Sequence, residues 1–181
     1  MKKLLFTLVL SLLFTVLAYT ANQMNREQVG LIGQVQVITT EEAKISHKFG
    51  EWVEKSRIKV SRHVYDIKGN LTEQTEYDDD GSVDKKQVYA YDDKGNLTEK
   101  TEYDDDGSID EKQVYAYDDK GNLTEKTEYD DDGSIDEKWV YTYKFDTTGN
   151  WVEKTISKSV DEFGKSYLKP LKIIYRTITY H

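Results

Sequence analysis

Closely spaced acidic residues are the part of the sequence with the clearest chemical potential. Two segments, running from Glu102 to Ile109 and from Glu128 to Ile135, place oxygen-bearing side chains at alternate positions before a glycine. That spacing matches the first positions of a calcium-binding loop, but Gln113 and Trp139 stand where the closing glutamate is needed. We therefore predict no cofactor and no tight metal site. The alternative is weak cation binding at Asp104, Asp106, Asp130 and Asp132.

Catalytic constellations are not evident in the residue pattern. His47, His63 and His181 are scattered, and the sequence contains no cysteine to act as a nucleophile or thiolate ligand. Carboxylates recur in the same way at every repeat, whereas an active site should interrupt a repeat. The sequence predicts a protein that is not an enzyme.

Tyrosine offers a second kind of chemistry, since it joins a flat apolar ring to a polar tip. The chain has 14 tyrosines and 5 phenylalanines. Such rings can stack on sugars or hold a peptide, and they can equally pack against one another within a sheet. The tyrosines predicted to line a ligand-binding face are Tyr89, Tyr91, Tyr103, Tyr115, Tyr117 and Tyr129.

Glycines reveal the elements that must position these side chains. From Gly69 to Gly133 their spacing alternates between 12 and 14, giving a repeat of 26 residues. Each glycine suits a hairpin loop of three residues, in which a type I turn is followed by a left-handed residue. Asp93-Lys94-Gly95 and Asp105-Asp106-Gly107 are predicted to be such loops, with Asp92 and Asp104 capping them.

These loops predict a strand register. Tyr91 should lie opposite Leu97 and Tyr103 opposite Ile109. Counting outward pairs Glu99 with Gln113 and Lys100 with Lys112, and it places all six candidate tyrosines on one face with a polar band between them.

The fold expected from this pattern is all-β: an antiparallel meander of repeated hairpins, forming a single sheet that is curled or partly closed. Residues 22–44 should contain a lead-in and a first strand over residues 30–40, interrupted by charge at residues 41–44. Residues 45–181 should form the repeat domain, with the clearest repeats at 65–145. The run from Leu171 to Tyr180 predicts a last strand covered on both sides, which caps the edge or closes the sheet.

The N-terminal residues predict export. Lys2 and Lys3 precede an apolar run from Leu4 to Ala18, the layout of a signal peptide spanning residues 1–21, with cleavage after Ala18 or Ala21. The run is short for a membrane span, so we expect no spanning segment after cleavage. The formal charge of −9 argues against nucleic acid as a partner.

The Tyr-Asp-x-x-Gly-x-Leu units at residues 65–71, 91–97 and 117–123 resemble the YD repeats of the RHS family, which includes bacterial polymorphic toxins and the teneurins. The resemblance covers about half of the chain. It implies a strand-turn-strand architecture. Large members of that family enclose cargo in a β-shell, but the family's core-domain signature is not seen here, so encapsulation is not expected.

The sequence thus predicts a secreted, periplasmic or cell-surface protein that acts as a structural or interaction module at the cell envelope. Its expected partner is a protein or glycan, and an exposed edge strand would allow self-association. Two alternatives remain open: a carbohydrate- or peptide-binding module that uses the tyrosines, and a weak calcium-binding repeat protein.

Overall fold

Ten antiparallel strands form a single sheet in chain order. The computed structural model describes residues 29–181, so the predicted signal peptide at residues 1–21 lies outside the described residues. The strands are β1 (Val37–Lys48), β2 (Glu51–Tyr65), β3 (Leu71–Tyr77), β4 (Val83–Tyr91), β5 (Leu97–Tyr103), β6 (Ile109–Tyr117), β7 (Leu123–Tyr129), β8 (Ile135–Phe145), β9 (Trp151–Glu162) and β10 (Lys165–Tyr175). Each strand pairs with its sequence neighbours, and β1 and β10 are the two edges. The predicted all-β meander is confirmed.

The three-residue loops form as predicted. Gly95 N donates to Asp92 O at 3.0 Å, and Asp92 N donates to Asn96 O at 2.9 Å, which closes a loop of residues 93–95. Gly95 has a φ of +85°, a conformation that side chains with a Cβ rarely adopt. The same backbone bonds recur at residues 104–108, so the 12/14 glycine spacing marks alternate ends of the sheet.

The two outermost hairpins have shorter loops of a different kind. Phe49-Gly50 joins β1 to β2, and Phe163-Gly164 joins β9 to β10. Both phenylalanines have a φ of +52° and both glycines are also at positive φ, as a type I′ turn requires. Gly50 and Gly164 predict a tight turn at each position, but phenylalanine rarely adopts a positive φ, so the conformation of Phe49 and Phe163 could not be predicted.

The predicted register is correct next to the loops and wrong beyond them. Tyr103 pairs with Ile109, but Glu102 pairs with Glu111, so Asp110 is an extra residue in a β-bulge. The same irregularity follows the other regular loops, as between Ala90 and Tyr91 on the β4–β5 ladder. Because each bulge shifts the register by one, the pairs Glu99–Gln113 and Lys100–Lys112 do not form.

Bulges also divide the candidate tyrosines between two faces. Residues directly paired across a ladder share a face. Thr101 pairs with Val88 and Tyr103 with Lys86, while Tyr89 pairs with Lys100 on the opposite side. We call the side of Tyr89, Tyr91, Tyr115 and Tyr117 the front face, and the side of Thr75, Thr101, Thr127, Tyr103 and Tyr129 the back face. The prediction of one common face is therefore wrong.

Few side chains are buried in this sheet. The apolar ones are Tyr65, Leu71, Leu97 and Tyr115, and small polar residues such as Thr75, Thr101 and Thr127 are buried between long neighbours on the back face. No second layer of structure covers either face among residues 29–181. Hydrogen-bonded ladders and cross-strand pairs therefore stabilise this sheet more than a packed interior does.

The chain ends differ from the predictions. The first strand, Val37–Lys48, continues through the charged residues 41–44, where register shifts absorb the irregularity instead of a turn. The last strand ends at Tyr175 and is not covered on both sides, since Leu168, Leu171 and Ile173 are exposed.

Beyond β10, residues 176–181 continue along the start of β9, where Arg176 N donates to Val152 O at 2.9 Å, and reach the loop between β8 and β9. The Arg176 guanidinium carbon lies 3.3 Å from the centre of the Trp151 ring. The Tyr180 hydroxyl donates to the Asp146 carboxylate and accepts from Asn150 Nδ2 at 2.8 Å. The tail therefore caps the end of the last regular loop.

Candidate functional site

The front-face tyrosines near the loops are tied to the backbone of a neighbouring strand. Tyr91 Oη donates to Leu71 O at 2.8 Å, and Tyr117 Oη donates to Leu97 O at 2.9 Å. Each bond joins residues 20 apart and so connects one repeat to the next. Burial raises the pKa of both hydroxyls, most strongly that of Tyr91. These two rings therefore help to hold the sheet together.

The front-face tyrosines in mid-strand bond to glutamines of their own strands. Tyr89 Oη donates to Gln87 Oε1 at 2.7 Å, and Tyr115 Oη donates to Gln113 Oε1. Burial, with the nearby Glu102 carboxylate, raises the pKa of Tyr89 to about 12. All four front-face hydroxyls thus have a partner within the chain.

A band of charge separates these tyrosines, but the bulges change its members: Lys100 and Glu102 lie on the front face, and Glu99, which the predicted register placed there, lies on the back face. Glu102 is buried, with a relative exposure of 9%. It accepts from Lys85 and Gln87, and Lys100 Nζ lies 3.3 Å from its second oxygen. Burial opposes its ionisation, but these bonds and charges dominate and lower its pKa. The band is therefore a set of satisfied ion pairs.

Tyr103 lies on the back face and lines an open groove there. This groove has a volume of about 470 Å³. The side chains of Val83, Val88, Lys86 and Tyr103 line it, together with the acidic loop of residues 104–107. Lys86 Nζ pairs with Glu73 at 2.9 Å, so its charge is already balanced. The groove combines an aromatic ring, two apolar side chains and a row of carboxylates.

Tyr129 occupies the position 26 residues after Tyr103 and has the same neighbours. It pairs with Lys112 and Ile135, as Tyr103 pairs with Lys86 and Ile109. Lys112 forms its own ion pair with Glu99 at 2.9 Å. The structure thus separates Tyr103 and Tyr129 from the other four candidate tyrosines.

The weak metal candidates are exposed loop residues that mostly cap their own loops. Asp106 Oδ1 accepts from Ser108 N at 2.8 Å, and Asp132 Oδ1 accepts from Ser134 N at 2.8 Å. Asp130 is 3.4 Å from Ser134 Oγ. Among residues 29–181, no group of three acidic or histidine side chains is arranged to hold a metal ion.

Asp104 does not make the cap predicted for it, because Asp106 takes that place. In the other loop type the prediction is confirmed, since Asp92 Oδ1 accepts from Asn96 N at 2.8 Å. Desolvation, followed by repulsion from neighbouring carboxylates such as Asp110 and Asp105, raises the pKa of Asp104. Among residues 29–181, neither Asp104 nor Asp105 forms a salt bridge, so this loop carries unbalanced negative charge.

A lysine on the back face is the feature that sequence reasoning missed. Lys59 Nζ lies 4.7 Å from the centre of the Tyr77 ring, and Tyr77 stands 26 residues before Tyr103. The bulge at Val60 turns Lys59 toward the back face. The offset of 26 residues identifies Tyr77 as the counterpart of Tyr103, but it does not indicate the contact with Lys59, because the equivalent Lys85 pairs with Glu102 instead.

Comparisons with known proteins leave family and activity open. No protein-family model matches the chain, and no curated protein does. A porin-like protein from Bacteroides uniformis ATCC 8492 aligns with 80% of this chain and 85% of its own, at 14% identity and a TM-score of 0.38. Likeness at that level carries no argument about this protein. In the part of the chain that the structure describes, no helix has the length and apolarity to cross a membrane.

Proposed function

We propose that this protein is an exported, non-enzymatic module with a structural or interaction role at the cell envelope. The observation that carries the proposal is the exposed edge strand β10, Lys165–Tyr175. Export rests on the basic and apolar N-terminal residues of the sequence. The resemblance to RHS-type YD repeats supports a repeat scaffold and implies no catalytic group.

The outer side of β10 has the chemistry for adding another strand. An edge strand presents unpaired backbone N–H and C=O groups, and a partner strand can pair with them. Leu168 is 50% exposed, Leu171 is 49% exposed and Ile173 is 46% exposed, so apolar area is available beside those backbone groups. Pro170 interrupts the row of N–H donors and limits the length of such pairing.

Sedimentation velocity over a range of concentrations tests this role with a second copy as the partner. We expect the protein to self-associate and the double variant Leu168→Lys/Leu171→Lys to remain monomeric, because two added charges repel an incoming apolar strand. Ile32→Lys/Ile67→Lys is the matched control, since both isoleucines are exposed away from β10. If the wild-type protein stays monomeric at every concentration, self-association through β10 is ruled out.

A peptide-binding module is the second candidate, and the groove at Tyr103 favours it. Carbohydrate binding has less support at this groove, because its carboxylates give it a charge that neutral sugars do not complement. For weak calcium binding, the support is limited to the exposed acidic loops.

A further inference from the structure

We propose that the back face holds two adjacent sites for basic side chains of an extended cationic peptide, one at Tyr103 and one at Tyr129. The proposal rests on the role as an interaction module, but it does not depend on β10. Each site would take one lysine or arginine, with its apolar stem against the groove wall and its charge beside the loop carboxylates.

The groove at Tyr103 has each part that a basic side chain needs. Val83 and Val88 can pack against the methylene stem, and Tyr103 presents a ring over which a cation can sit. In the part of the chain that the structure describes, neither Asp104 nor Asp105 forms a salt bridge with a lysine or arginine. The site therefore joins apolar contact to unbalanced negative charge.

The second site repeats these parts 26 residues later. Its groove positions are occupied by Ile109, Lys112, Val114 and Tyr129, followed by the loop Asp130 to Gly133. Isoleucine in place of valine is the one change of residue type. The ladder register of the two units is the same, so the sites face the same side of the sheet.

The first unit of the series shows which chemical group this arrangement takes. There the chain's own Lys59 lies over the Tyr77 ring at 4.7 Å, and Lys44 Nζ lies 3.4 Å from Asp79 in the adjoining acidic loop. Two lysines of the chain thus occupy separately the ring and the loop carboxylate that we propose for one lysine or arginine of a peptide.

The positions that correspond to Lys59 in the next two repeats do not place a lysine over Tyr103 or Tyr129. Lys85 is the residue 26 after Lys59, and it pairs with Glu102 on the front face. The next equivalent position is Glu111, which carries no positive charge. Tyr103 and Tyr129 are therefore left open to a basic group from outside the chain.

The spacing of the two sites sets the form of the peptide. They are separated by two strand spacings, or about 10 Å. In a polyproline II helix, side chains three residues apart lie on one side and are separated by about 9 Å. A peptide with a basic residue at every third position would thus reach both sites at once.

Fluorescence anisotropy with a labelled peptide of four Arg-Pro-Pro repeats tests the proposal at low salt. We expect saturable binding that Asp105→Asn/Asp131→Asn weakens by about tenfold, since each exposed ion pair contributes a modest share. Tyr103→Leu/Tyr129→Leu should weaken it by roughly fivefold through loss of the cation–π contacts. If the leucine variant does not fold, Asp105→Asn/Asp131→Asn still tests the proposal, because neither of these carboxylates caps its loop.

Asp93→Asn/Asp119→Asn is the matched control, since it makes the same charge change in loops at the opposite end of the sheet. We expect less than about a twofold effect from it. Lys59→Ala should open the Tyr77 site and raise the number of basic side chains bound, whereas Lys55→Ala, with the same change of charge, should not. Binding that is absent at low salt, or equally reduced by both aspartate pairs, would overturn the proposal. The sedimentation experiment on β10 uses no peptide, so failure of peptide binding and failure of self-association can be told apart.

Discussion

Tyrosine hydroxyls on the front face act as ties between repeats. Tyr91 and Tyr117 each donate to the carbonyl of a leucine that begins a strand of the previous repeat. A third copy of this tie joins Tyr143 to Leu123 at 2.8 Å. A carbonyl that is shielded from water needs such a donor, because leaving it unpaired costs free energy. Tyrosine, and not phenylalanine, is thus required at these loops.

Removing two of these hydroxyls should destabilise the sheet. We expect Tyr91→Phe/Tyr117→Phe to lower the free energy of unfolding by about 2 kcal/mol, roughly 1 kcal/mol for each lost hydrogen bond. Urea unfolding followed by circular dichroism measures this change. Tyr103→Phe is the control, because its hydroxyl makes no hydrogen bond to residues 29–181. Equal stability of the double variant and the control would show that the ties contribute nothing.

The hydrogen bond between Tyr180 and Asp146 should make the stability of the C-terminal tail depend on pH. The hydrogen bond from Tyr180 is the main reason that the pKa of Asp146 falls from 3.8 to about 2. A lowered pKa favours the charged carboxylate in the folded protein. Its stabilising effect is complete above the unfolded value near 3.8 and is lost as the pH falls through about 2.

Tyr180→Phe should raise the pKa of Asp146 toward its ordinary value. Carbon-detected NMR of the side-chain carboxyls, recorded between about pH 1.5 and 6, measures this change. Asp106 serves as an internal reference, because bonds from Ser108 lower its pKa and the tail does not touch it. If the Asp146 titration is the same in both proteins, the tail does not form this contact in solution.

The regular loops are of two types, which share the same backbone hydrogen bonds and differ in which aspartate caps them. In the loop after Tyr91, Asp92 accepts from the backbone and side-chain amides of Asn96. In the loop after Tyr103, Asp106 accepts from the backbone and hydroxyl of Ser108. The residue after the glycine thus decides which aspartate caps the loop.

The loop glycines should be sensitive to any side chain. Gly107 has a φ of +84° and open space around its Cα, so Gly107→Ala introduces backbone strain without a clash. We expect it to lower the free energy of unfolding by about 1 kcal/mol. Asp105→Ala in the same loop is the control, since its carboxylate caps nothing. Thermal unfolding of both variants measures the difference, and equal melting would contradict a strained left-handed position.

The loops could be predicted from the sequence because glycine spacing reports a local backbone requirement. The bulges could not, since Thr98 and Asp110, the extra residues, are also ordinary in a regular strand. That single-residue shift determines which face each side chain occupies. Because of this shift, the regular register predicts the wrong face for Tyr103 and Tyr129, and it does not predict that Lys59 lies on the back face.

For the whole molecule, the chain-order topology makes each repeat depend on its immediate neighbours. Every strand pairs with the strands before and after it, and ion pairs such as Lys86–Glu73 and Lys112–Glu99 recur at the same offset. Stability in such an array is close to a sum of repeat and interface terms. The sheet should therefore tolerate a change in the number of repeats when the register is preserved.

Deleting residues 92–117 tests this expectation. The deletion joins Tyr91 to Asp118 and restores the same Tyr-Asp-Asp-Lys-Gly loop, so an eight-stranded sheet should fold cooperatively with a smaller urea m-value. Removing residues 92–103 is the control, because it joins Tyr91 to the acidic loop and places the wrong loop type at that end of the sheet. We expect the half-repeat deletion to unfold at lower urea than the full-repeat deletion. Failure of the full-repeat deletion to fold would show that the repeats depend on more distant parts of the sheet.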